Sequence, residues 1–129
     1  MIEDYFDRLL QDLIISRAVS SFNVLKQETG EEEGFIRIKC ALIDDSILEF
    51  AEYVIFYRNK IHVETYSYHW QGADGQLIKR WDNVPHHKKI KTFPRHVHLP
   101  NNKVQSSSPI NIKKILMEIE NILPVGDNY

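Results

Sequence analysis

The chain has 129 residues, 43% of them apolar, and a single cysteine, Cys40. This length fits one domain, and the composition supports a globular core. They exclude an intrachain disulfide scaffold and, with no apolar run near the roughly 18 residues of a membrane span, a helical membrane protein. The net charge of −2 hides an asymmetry: residues 1–50 hold eleven acids against five bases, whereas residues 76–103 hold seven bases against one acid, Asp82.

Residues 2–19 read as an amphipathic helix. Ile2, Tyr5, Phe6, Leu9, Leu10, Leu13 and Ile14 recur at three- and four-residue steps, and Glu3, Asp4 and Asp7 suit the helix N-terminus. The acidic opening does not resemble a signal peptide, so a cytoplasmic location is expected. Residues 21–26 alternate and predict a short first strand. A Glu-rich turn follows, then strands over 34–43, 46–57 and 61–71 separated by Asp44-Asp45-Ser46 and Arg58-Asn59-Lys60. In the last of these, Ile61, Val63, Thr65, Ser67 and His69 are expected on one face. His62, Glu64, Tyr66, Tyr68 and Trp70 would share the other. Gly72 to Gly75 is a hairpin turn, and residues 76–81 return as a further strand, with Trp70 and Trp81 as expected cross-strand partners.

Residues 82–108 show no clear period, contain Pro85, Pro94 and Pro100, and are expected to form an irregular histidine-rich loop. Residues 109–123 form a closing helix with Pro109 in its first turn. The predicted fold is α+β: an N-terminal helix, an antiparallel meander of four or five strands, the irregular loop, and a C-terminal helix on the same sheet. Residues 1–123 would form the domain and 124–129 a flexible tail.

The chemistry concentrates between Tyr66 and Pro100. Five of the six histidines fall there: His69, His86, His87, His96 and His98. Imidazole can take and give a proton near neutral pH. Histidines beside cations are what metal-independent RNA cleavage needs: one group deprotonates the 2′-hydroxyl, another protonates the leaving oxygen, and cations stabilise the charged phosphate. The candidate acid–base groups are His86, His87, His96, His98 and His69. Arg80, Lys88, Lys89, Lys91 and Arg95 are candidate phosphate contacts, with Tyr68 and Trp81 as stacking groups and Asp82 and Asn83 in support.

Two other readings compete. His96 and His98 are two apart, so an extended backbone points both the same way and could present them to Zn²⁺ or a related metal. Alternatively, the histidines only shape a proline-rich segment, and the protein is a non-catalytic module that binds nucleic acid or protein. His62 reads as a surface or packing residue, and Cys40 as a buried small hydrophobe.

Several motifs occur in order here. They are Tyr66-Ser67-Tyr68-His69-Trp70-Gln71, Asp74-Gly75, Arg80-Trp81-Asp82-Asn83, Pro85-His86-His87, Phe93-Pro94, then His96 and His98-Leu99-Pro100. This succession resembles the TumE family of toxin–antitoxin proteins, and the Ile-Glu-Asp-Tyr opening and Glu-rich turn extend the resemblance over nearly the whole chain. The family pattern often has His-His after Phe-Pro; here Arg95 takes the first place. The resemblance implies a growth-inhibiting toxin encoded beside an antitoxin that is a small DNA-binding protein. The expected partners are that antitoxin, an RNA substrate and, in a homodimer, a second copy of the chain. No cofactor, no metal and no membrane are expected.

Overall fold

The structure is a computed structural model that describes residues 1–83, 95–106 and 109–123. The N-terminal stripe forms helix α1, Ile2–Ile15, which buries Ile2, Phe6, Leu9 and Leu13. It ends earlier than its pattern predicts because Ser16 is already extended, at φ −69° and ψ 131°. The Ser16 hydroxyl donates to Glu120 Oε2 at 2.7 Å and accepts from the Ala18 N–H at 3.3 Å, so a local hydroxyl bond replaces another helical turn.

Seven strands follow: β1 (Val19–Thr29), β2 (Glu33–Leu42), β3 (Ile47–Tyr57), β4 (Lys60–Gln71), β5 (Leu77–Asp82), β6 (His96–Leu99) and β7 (Lys103–Ser106). They form one antiparallel meander in chain order. Helix α2, Ile112–Ile122, closes the chain. The architecture is α+β, but with seven strands rather than four or five. The extra pair comes from the stretch expected to be irregular. β6 and β7 are four residues each, too short to display a period, and Pro100 with left-handed Asn101 (φ 67°) turns the chain between them.

Helix α2 starts after Asn111, not at Pro109. The Asn111 side chain accepts the Lys114 N–H at 2.9 Å and caps the helix. Ile112, Ile115, Leu116 and Ile119 are its buried stripe. Both helices share one core with the inward side of the sheet. One row of that core runs Ile38, Phe50, Tyr68, Trp81, Val97 across five strands in register. Trp81 therefore faces Tyr68, and Trp70 faces Lys79; the two tryptophans are not partners. The Lys79 ammonium lies 5.0 Å from the Trp81 ring and 2.6 Å from Glu118 of α2, which ties the helix to β5.

β4 departs from strict alternation. Tyr53 pairs with Thr65 and Val54 with Val63, so Glu64 is an extra residue opposite β3. This bulge turns Ile61 and Val63 to the same side as Tyr66, Tyr68 and Trp70, where they pack on the core. Apolar burial has outweighed the simple period of two. The β3–β4 turn uses Arg58 and Asn59, both left-handed (φ 52° and 60°), as a tight two-residue hairpin requires.

The opposite side of the sheet carries no helix and is mostly polar. Two rows cross it in register. One runs Arg37, Ala51, Ser67, Asp82, His96; the other Lys39, Glu49, His69, Arg80, His98. Among the described residues, no helix is long and apolar enough to cross a membrane.

Candidate active site

The candidate side chains come from β4, β5 and β6, and strand pairing brings them together. Asp82 is the last residue of β5 and pairs with His96 on β6. His98 is two residues further along, so its ring projects to the same side and pairs with Arg80. The His96 Nε2 lies 2.5 Å from Asp82 Oδ1, and the His98 Nε2 lies 3.3 Å from Oδ2. The two imidazoles meet edge to face, with centroids 4.8 Å apart. Arg80 completes the cluster, its Nε 3.1 Å from Asp82 Oδ2.

Burial divides the roles. The Asp82 and His96 side chains are 2% and 1% exposed, whereas His98 is 22% exposed and Arg80 37%. A buried carboxylate thus sits under a solvent-reaching imidazole and guanidinium. Such a carboxylate requires partners to offset desolvation, and its two oxygens face two imidazoles and one guanidinium.

His69 lies across from Arg80 on β4. Arg80 Nη1 is 3.4 Å from His69 Nδ1. Arginine can only donate, so Nδ1 is the acceptor and the neutral ring carries its proton on Nε2. Burial, and then the Arg80 charge, hold His69 below the ordinary histidine value, with a smaller opposing contribution from its bond to Gln71. The lowered value favours the neutral ring, which accepts from Arg80 and helps to hold it in place.

The other expected residues fall elsewhere. Tyr68 and Trp81 are 1% and 2% exposed on the helix-facing side and cannot stack on a base. The Tyr68 hydroxyl donates to Glu52 Oε2 at 2.5 Å, and Tyr5 of α1 donates to Oε1 at 2.5 Å. Glu52 is fully buried; desolvation raises its carboxyl value, and the two phenols only partly oppose this. Asn83 shapes the backbone, accepting the Tyr66 N–H at 2.9 Å and donating to Glu64 O at 2.8 Å. Arg95 lies near enough to Tyr66 to act on its hydroxyl, which burial raises first and the charges of Arg95 and Asp82 pull in opposite directions. His86, His87, Lys88, Lys89, Lys91 and the tail from 124 lie outside the described residues. His62 is exposed, 3.2 Å from the Tyr57 carbonyl, as a surface residue. Burial pushes the Cys40 thiol up to about 12, so it is no nucleophile at neutral pH.

Asp82, His96 and His98 also have donor atoms close enough to share one cation, all within 4.8 Å. Arg80 places a permanent positive charge beside the same carboxylate, 3.1 Å from Oδ2.

Beside the cluster, a groove of about 440 Å³ opens on the helix-free side of the sheet. Arg37, Lys39, Ile47, Glu49, Ser67, His69, Gln71 and Arg80 line it. Arg37, Lys39 and Glu49 lie in the acidic half of the chain, far from the histidines in sequence, and only strand register brings them beside His69 and Arg80.

No curated protein and no solved structure matches the chain. A family model described as Toxin TumE matches residues 6–123. The chain therefore belongs to the TumE family and is the toxin component of a toxin–antitoxin system, with a cognate antitoxin as its partner.

Proposed function

We propose that this toxin is a metal-independent endoribonuclease. The observation that carries the reading is the solvent-reaching His98 imidazole, 3.3 Å from the buried Asp82 carboxylate and beside Arg80. His98 is the proton-transfer group that meets the ribose 2′-hydroxyl or the leaving 5′-oxygen. Asp82 orients its ring and stabilises the imidazolium that forms during turnover. Arg80, held by Asp82 and His69, stabilises the charge that grows on the phosphate. His96 fixes the carboxylate from below. The complementary proton-transfer group is assigned from the sequence to His86 or His87. The antitoxin is proposed to be a small DNA-binding protein, and the site of action the cytoplasm.

The test is cleavage of RNA by the purified full chain in excess chelator. Products ending in 2′,3′-cyclic phosphate, lost with His98→Ala, support the proposal. Intact RNA at high protein concentration overturns it, and cleavage that appears only with added metal overturns the metal-independent mechanism.

A further inference from the structure

We infer that the groove beside the cluster holds the ribose–phosphate backbone of a single RNA strand and does not read its bases. The inference rests on the ribonuclease reading above and names the substrate contacts of that site. The second cross-strand row places Lys39, Glu49, His69, Arg80 and His98 side by side on five successive strands. Lys39 and His98 are four strand spacings apart, on the order of 19 Å. A strand of RNA running perpendicular to the β-strands would therefore leave the catalytic cluster at Arg80 and pass His69 and Glu49 to reach Lys39.

The lining sets the chemistry. Lys39 is exposed and has no carboxylate partner among the described residues. Arg37 is held in place by Glu49 at 3.1 Å, with both side chains partly exposed, so its remaining donors can reach a phosphate. Glu49, Ser67 and Gln71 offer acceptors to a ribose 2′-hydroxyl, the group that separates RNA from DNA. Apart from the His69 imidazole, no aromatic ring among the described residues lines the groove, so these residues offer no platform on which bases stack. Cations without stacking surfaces recognise the backbone and tolerate any sequence.

Binding is measured on the full chain carrying His98→Ala, so that RNA is not consumed, by fluorescence anisotropy with labelled single-stranded oligonucleotides. Adding Lys39→Gln is expected to weaken binding roughly fivefold and to lower the slope of log affinity against log salt by about 0.7, one phosphate contact. Arg37→Gln acts in the same direction. Lys26→Gln, the same charge change on β1 outside the groove, leaves affinity unaltered. RNAs of different sequence bind alike, and DNA of the same sequence binds more weakly. Unchanged RNA affinity in Lys39→Gln and Arg37→Gln, or affinity that follows base identity, overturns the inference. So does loss of antitoxin binding alone, which would make the groove a protein interface. If the groove variants weaken RNA binding while the native chain leaves RNA uncut, the nuclease reading falls and the groove stands. If the native chain cuts RNA and the groove variants bind it normally, the groove falls alone.

Discussion

Asp82 stands directly opposite His96 in the β5–β6 ladder, and its second oxygen faces His98 two residues further along the same strand. One carboxylate therefore serves a buried imidazole and a solvent-reaching one. Burial thus separates a histidine held inside the fold from one that reaches solvent.

His98→Ala and His96→Ala should differ for that reason. His98 is partly open, so its loss is expected to lower the cleavage rate about 100-fold or more while shifting stability by less than about 0.5 kcal/mol. His96 is buried against Asp82, and its loss leaves a buried charge short of a partner, at about 3 kcal/mol. Urea unfolding beside an RNA cleavage assay separates the two; equal loss of stability in both variants would remove the division of roles.

Asp82→Asn is nearly isosteric but replaces an acceptor with an amide whose donors face Arg80 and the imidazoles. The expected outcome is loss of both properties: about 2 kcal/mol of stability and at least about 100-fold in kcat. Native stability in this variant would show that the carboxylate charge does not hold the cluster.

His69 gives a pH dependence with a defined sign. Burial and Arg80 hold its folded value below the ordinary 6.5. The neutral ring's contribution to stability is thus present above pH 6.5 and lost as pH falls through the lower folded value. Protonation also puts a second cation against Arg80. Cleavage should therefore decline on the acid side below pH 6.5, and His69→Gln, which keeps an amide acceptor for Arg80, should flatten that part of the profile. The check is stability and kcat/KM measured from pH 5 to 8.

Glu52 has the opposite sign. Its folded value is raised above 4.5 by desolvation, so its contribution to stability is full below that pH and is lost as pH rises through the folded value. Glu52→Gln should remove this fall in a pH series of denaturation midpoints. Glu52→Ala strands two phenols and is expected to cost about 3 kcal/mol.

Tyr68→Phe separates packing from recognition. The hydroxyl bonds buried Glu52 on the helix-facing side, so stability should fall by about 1 to 2 kcal/mol with RNA affinity unchanged. An anisotropy titration that showed weaker RNA binding in a fully folded variant would return Tyr68 to the binding surface.

Much of the fold was legible in sequence because local periods report local structure. The stripe from Ile2 to Leu13 marks α1, the alternation in residues 35–42 marks β2, and Ile112, Ile115, Leu116 and Ile119 mark α2. The misses have local causes. Four residues of β6 cannot show a period, and the Glu64 bulge shifts Ile61 and Val63 to the core. Tyr68 and Trp81 looked like stacking groups because aromatic content alone cannot tell a core position from an exposed one.

The sequence by itself determined the α+β class, the family, the basic stretch and the shared side of His96 and His98, since spacing within one element settles each of these. Only the tertiary structure decided that Asp82, rather than a second histidine, is the centre of the cluster, that His69 secures Arg80, and that Arg37 and Lys39 share their side of the sheet. Cross-strand partners depend on register, and register is set by turns, bulges and burial acting over the whole sheet, which no single segment of the chain encodes.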